Sequence, residues 1–150
     1  MSDTIQVQKE LYKNHLEFLG YRVEYDTDDE QAIVAIAEGK QTFLRVFTYG
    51  LCARRGYRTS AKAQSERWAF LEFVNKSNKT SITKMYVDEE WVINELWYLH
   101  AYEKVSFGEF MSILQEEADG FEEFFLSKID GLVELELLFI NAKNKAIPVK

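Results

Sequence analysis

The sequence predicts an α+β fold: an antiparallel β-sheet, built from a three-strand meander and a hairpin, with helices packed on one face in the order α-β-β-β-α-β-β-α. Three observations carry this prediction. Apolar residues recur at helical spacing in segments near 4–19, 61–76 and 106–125. Between the helical segments, short stretches alternate polar and apolar or run apolar, as strands do, and polar turns separate them. The 150 residues are 47 % apolar with one proline and one cysteine, the make-up of one ordinary globular domain.

The first helix places Ile5, Val7, Leu11, Tyr12, Leu16, Phe18 and Leu19 on one side of the wheel and Lys9, Glu10, Lys13 and Glu17 on the other. Asp3 with Gln6 forms a capping-box pattern, and Gly20 supplies the stop. Residues 21–26 alternate strictly, and Asp26-Thr27-Asp28-Asp29-Glu30 reads as a turn. Residues 32–37 are apolar on both faces, so they belong in a sheet covered twice. Glu38-Gly39-Lys40 then returns the chain into residues 42–49. Two glycines and three arginines make residues 50–60 read as a loop.

In the second helix, 61–76, Ala63, Trp68, Phe70, Leu71 and Val74 share a broad face, while Ala69 and Phe73 point elsewhere and leave a second apolar surface to cover. Residues 82–87 and 91–101, joined by Asp88-Glu89-Glu90, form an aromatic and β-branched hairpin. Ser106 and Glu109 cap a third helix, 106–125. Beyond it the apolar stepping continues through Ile129, Leu132 and Phe139. Asp130-Gly131 is nevertheless a stop, and Val133-Glu134-Leu135-Glu136-Leu137 alternates like a strand, so one long helix and a break both fit. Residues 141–150 have little to bury and are expected to form a loose tail. The chain is thus one domain over 1–150, with its core at about 4–125 and an extension at 131–150.

Leu16-Glu17-Phe18-Leu19-Gly20-Tyr21, Glu38-Gly39 before the third strand, and Phe73-Val74-Asn75-Lys76-Ser77-Asn78 running into Lys84-Met85-Tyr86-Val87-Asp88 resemble the YbjN-like family of bacterial sensory transduction regulators. The resemblance spans roughly residues 11–125. It implies the fold of type III secretion chaperones, an antiparallel sheet backed by helices and often dimeric, with no catalytic machinery and no site residues to carry over. The basic segment 50–60 and the residues after Asp130 depart from that pattern.

Chemistry-bearing residues are sparse. The lone Cys52 has no disulfide mate in the chain and, with only His15 and His100, cannot complete a four-ligand zinc shell. No metal or cofactor is therefore expected. The helix wheel places His15 inside, and His100 ends a strand. Without a Gly-x-Ser-x-Gly elbow no serine triad is announced. Arg54 and Arg55 would favour a thiolate at Cys52, although an unpaired cysteine ending a strand is ordinarily a small apolar residue. The acidic turn 26–30 lacks the glycine and glutamate of an EF-hand, since those places hold Gln31 and Ala37. Ser81-Ile82-Thr83-Lys84 matches a penicillin-recognising motif only on paper, because it falls in a predicted strand. Phosphate-cradling glycine loops and Cys-x-x-Cys are missing.

Charge is more informative. Residues 41–65 hold no acid, while Arg45, Arg54, Arg55, Arg58 and Lys62 give +5. Residues 86–123 hold eleven acids against Lys104, giving −10. Opposite poles of this kind steer a partner or dock a second copy. A net charge of −7 argues against nucleic acid as the partner. No run of 18 apolar residues exists, and Met-Ser-Asp-Thr-Ile-Gln is no signal peptide, so a cytoplasmic location is expected.

These readings point to a non-enzymatic protein-binding or regulatory module, chaperone-like or a signal-transduction regulator, that takes a protein or peptide partner and forms a homodimer. Its docking residues are expected to be Arg54, Arg55 and Arg58 in the basic segment, and Phe73, Trp97 and Tyr98 on spare aromatic surface. The alternative is a small-metabolite-binding protein or small enzyme with a pocket between sheet and helices. Polar groups converging in an apolar cavity would favour the alternative, and an exposed aromatic sheet face the module.

Overall fold

A computed structural model of the chain describes residues 3–59, 65, 67–88, 91–128, 133–140 and 146–148. Its elements are α1 (Asp3–Phe18), β1 (Arg22–Tyr25), β2 (Ala32–Ala37), β3 (Lys40–Phe47), β4 (Gly50–Thr59), α2 (Arg67–Thr80), β5 (Lys84–Asp88), β6 (Trp91–Tyr98), α3 (Lys104–Lys128), β7 (Val133–Ile140) and β8 (Ala146–Pro148). The class is α+β. The strands lie in the order β1-β2-β3-β4-β6-β5, with β7 on β4 and β8 on β7, and every pair is antiparallel.

The main departure from expectation is β4. Residues 50–60 were expected to loop, yet Gly50–Thr59 is the central strand, pairing with β6 from Leu51↔Tyr98 to Arg58↔Trp91. Burial explains it: Leu51, Ala53, Arg55 and Tyr57 alternate onto the helix-covered face and are all buried. The opposite edge of β4 is divided. Phe47↔Gly50 to Phe43↔Arg54 pairs it with β3, and Gly56↔Leu138 to Thr59↔Val133 pairs it with β7.

The core lies between the sheet and the two helices α1 and α3. Tyr12 and Leu16 of α1 and Phe107, Phe110, Met111 and Leu114 of α3 pack on Ile33, Ala35, Leu44, Val46, Leu51, Ala53 and Tyr98. Fully burying one such leucine stabilises the fold by roughly 1.5–3 kcal/mol. The Tyr12 ring meets those of Tyr98, Tyr102 and Phe107 edge-on or tilted, at 6.3, 5.5 and 4.8 Å. On the other face Ala32, Val34, Phe43, Trp91 and Ile93 form a second buried cluster.

α1 ends as the sequence indicates. The N–H groups of Gly20 and Tyr21 donate to the carbonyls of Glu17 and Leu16, both at 3.0 Å, and Gly20 takes φ 99°, which completes a Schellman cap. Its seating differs, however. Lys9 is buried with Tyr12 and Leu16, whereas Val7, Leu11, Phe18 and Leu19 are exposed. Lys9 is accommodated because its Nζ donates to the Glu30 carbonyl at 2.5 Å and lies 4.9 Å from the Tyr25 ring centre. α1 therefore carries a second apolar stripe that faces away from the core.

α3 begins at Lys104 and not at Ser106. The Glu103 carboxylate accepts from the N–H groups of Val105 (3.1 Å) and Ser106 (2.6 Å) and does the capping, so Ser106 lies inside the helix. The helix ends at Lys128 and β7 follows, which resolves the break in favour of a strand. Within the expected tail, residues 146–148 form β8 on β7. α2 runs four residues later than expected, to Thr80, with Phe70 and Val74 buried but Trp68 and Leu71 exposed. It packs at β5, where Asn78 Nδ2 donates to the Met85 carbonyl (2.7 Å) and Asn78 Oδ1 accepts from the Met85 N–H (2.6 Å).

Candidate partner-binding surface

The face of the sheet opposite α1 and α3 keeps one aromatic row in solvent. Phe47 stacks on Tyr49 at 5.7 Å and 12° and on Trp97 at 5.6 Å and 21°. Trp97 is 40 % and Tyr49 57 % exposed. Phe47 ends β3 and Trp97 lies in β6, with β4 between them. The rings meet across β4 because Gly50 and Cys52, which share their face, are small. At Gly50 the space is fully used. Its φ is 156°, and a Cβ there would lie 1.9 Å from the Tyr98 carbonyl oxygen. Arg45 sits over the Phe47 ring at 5.5 Å and pairs with Asp29 at 3.0 Å, so a cation borders the row.

Behind the row a single carboxylate gathers four partners. Glu95, 5 % exposed, accepts from Arg54 Nε (2.9 Å), the Tyr86 hydroxyl (3.1 Å) and Trp97 Nε1 (2.8 Å), and pairs with Lys84 at 3.8 Å. Desolvation pushes its carboxyl up, but the hydrogen bond from Trp97 and the charge and hydrogen bond of Arg54 outweigh that and hold it below the usual carboxylate range. Trp97 is thereby locked in orientation while its ring stays open to solvent. Burial pushes the Tyr86 hydroxyl up to about 12.

Of the residues expected to dock a partner, the structure keeps Trp97 at the surface. Tyr98 is corrected: it lies on the helix side, 7 % exposed, with its hydroxyl 2.5 Å from that of Ser106. Arg55 is corrected too. It is 2 % exposed, with Nε donating to the Thr42 hydroxyl (2.8 Å) and Nη2 to Gln115 Oε1 (3.0 Å) beneath α3. Arg54 is held by Glu95 on the opposite face, its side chain 20 % exposed. Adjacent residues of a strand point to opposite faces, so Arg54 and Arg55 cannot form one patch. The side chains of Arg58 and Phe73 lie outside the described part of the structure.

Phe47 and Glu95 were missed by sequence reasoning. The alternation of Gly50 and Cys52 between flanking aromatic residues was the available signal, and reading 50–60 as a loop concealed it.

The histidines, the cysteine and the acidic turn are each accounted for by local structure. His15 is half-buried, its Nδ1 3.0 Å from the Tyr102 hydroxyl, and desolvation followed by the Lys104 charge lowers its pKa. His100 Nδ1 lies 2.6 Å from the Ala101 carbonyl oxygen. Cys52 is buried, and desolvation pushes its thiol up to about 11 despite the pull of Arg54. In the acidic turn Asp26 Oδ1 accepts from the N–H groups of Asp28 and Asp29, and Asp29 Oδ1 from that of Gln31. Among the described residues no three His, Cys, Asp or Glu side chains cluster as metal ligands, and no helix is long and apolar enough to cross a membrane. No family model, curated protein or solved structure matches the chain.

Proposed function

We propose that this chain is a non-enzymatic binding module, acting as a homodimer, that takes a protein segment on the aromatic row Tyr49–Phe47–Trp97. The observation that carries this reading is the contrast within one sheet face: Tyr49 and Trp97 remain exposed on either side of the half-buried Phe47 ring that they stack on, while Arg54 and Glu95 beside them are engaged. Aromatic rings held in fixed orientation supply large contact area at little entropic cost, as interface anchors do. The partner reading agrees with the resemblance to the YbjN-like regulators and with a cytoplasmic, bacterial setting, both part of the same proposal. The residue chemistry supports it as well, since Cys52, the candidate nucleophile, is buried and held as a thiol.

Affinity capture from the producing cell, with wild-type and Trp97→Ala chains as bait, tests the reading. A protein that wild type retains, that the folded variant loses, and that rebinds the purified wild-type chain is the expected result. Equal recovery on both baits overturns the aromatic row as the site.

One observation favours a second reading, a small polar ligand held between sheet and helices. Arg55 Nη1 and both amide atoms of Asn94, its register partner, are buried with no hydrogen-bond partner. If that reading holds, a library of small anionic metabolites should contain one that raises the Tm of wild type and not of Asn94→Leu.

A further inference from the structure

The groove between α1 and α3 joins three depressions of about 560, 490 and 230 Å³; the first shares Gly108 and Ser112 with the second, and His15 and Lys104 with the third. Its borders are apolar and wet: Leu11 and Phe18 from the outward stripe of α1, and Val105 and Ile113 from α3, are 38, 82, 64 and 39 % exposed. Side chains of this kind at helical spacing on two neighbouring helices are the surface that a packed interface buries.

The charges along α3 say what covers it. Lys104, Gly108, Ser112 and Glu116 follow one another at four-residue steps and form a single row along the groove. Among the described residues neither Lys104 nor Glu116 has an ion-pair partner. The row is complementary to itself when reversed. Laid antiparallel on a second copy about residue 110, it sets Lys104 against Glu116 twice and Gly108 against Ser112 twice, with small residues where the helices approach most closely. A parallel pairing would set Lys104 on Lys104, and a register one turn further along would leave Lys104 opposite Gly120.

We propose that two copies of this chain pair through the α1/α3 groove about a two-fold axis, with Lys104 of each copy against Glu116 of the other. This rests on the homodimer reading above and gives that dimer its interface, leaving the aromatic row on the far face of the sheet open for a partner. It places the dimer contact away from Phe73 and the hairpin.

Sedimentation equilibrium of the full chain tests it. Wild type is expected to be a dimer at micromolar concentration. Lys104→Glu and Glu116→Lys should each weaken the dimer at least tenfold, and the double variant should return to within about threefold of wild type, because the swapped pair restores both contacts. If wild type is dimeric but neither single swap weakens it, or the double variant gains nothing back, the groove is not the interface while the homodimer stands. If wild type stays monomeric at hundreds of micromolar, both fall. Ser112→Cys gives an independent reading should a charge variant fold poorly. Two copies of residue 112 would lie about 10–12 Å apart across the axis, within reach of a short bis-maleimide. Covalent dimers are expected, and their absence from a sample shown to be dimeric overturns the geometry.

Discussion

The Arg55 guanidinium reaches the Thr42 hydroxyl at 2.8 Å from the central strand, in a place where both residues are almost wholly screened from water. Gln115 on α3 accepts its other bond and the hydroxyl hydrogen of Tyr21 (3.3 Å), so one cation ties together β3, β4, α3 and the segment after α1. No carboxylate among the described residues hydrogen-bonds it. Its stem therefore contributes by filling volume, while its charge adds little net stability.

Arg55→Ser removes both and leaves Thr42 and Gln115 short of a donor, at an expected loss of about 2–4 kcal/mol. Arg55→Met keeps the stem and should lose less than half as much. Urea denaturation of the two variants beside Arg54→Ser checks this. Equal losses for Ser and Met at position 55 would show that the charge, and not the volume, stabilises the site.

Asn78 offers β5 an amide in place of another strand, bonding both backbone groups of Met85. Asn78→Ala is expected to cost about 1–3 kcal/mol and to increase self-association through the bared edge. Asn78→Asp retains an acceptor for the Met85 N–H and loses the donor, so its stability should fall between wild type and the alanine variant in the same melt.

At Cys52 the thiol is buried and raised to about 11. Labelling with a disulfide reagent at pH 8 should therefore proceed at least about a hundredfold more slowly in the folded chain than in urea, and follow transient opening. A reaction as fast in the folded state as in the unfolded one would contradict the burial.

His15 binds its proton less tightly in the folded chain than when unfolded, because desolvation and Lys104 both disfavour the imidazolium. Its contribution is therefore present above the ordinary imidazole value of about 6.5 and declines as pH falls through that value toward the lower folded one. Tyr102, Lys104 and the Phe107 ring are the groups that face it. The denaturation midpoint of wild type should drop between pH 7.5 and 5.5, and that of His15→Gln should drop less. Glu95 and Glu103, both held below the usual carboxylate range, add their own losses only in more acidic solution.

The fold class and eight of the elements were legible because each depends on local pattern: the alternation of residues 21–26, the apolar run of 32–37 and the stop at Gly20 need no distant partner. β4 was not legible. Its arginines look like loop residues until Thr42 and Gln115 are seen to satisfy one and Glu95 the other, and those partners come from other strands and from α3. The seating of α1 was hidden for a similar reason. Lys9 can turn inward only because the Glu30 carbonyl waits for it, and that rotation is what leaves Leu11 and Phe18 outside. The aromatic row depended in turn on β4 being a strand.

The divided edge of β4 has a bearing on how the chain assembles as it is made. The meander β1–β4 emerges early and is stitched by nearest-neighbour hairpins, yet its central strand then presents one whole side and half of the other to any strand that comes near. Those vacancies close only when β6 and, later still, β7 arrive from far along the chain, an order that slows folding because distant pairings must wait for loop closure. During that interval the most central strand of the finished sheet is its most adhesive segment, and two nascent copies crowded on one message would be prone to pair there. Arg54, Arg55 and Arg58, whose destinations in the finished sheet are β3, β6 and β7 neighbours, would meanwhile repel a second copy of the same strand.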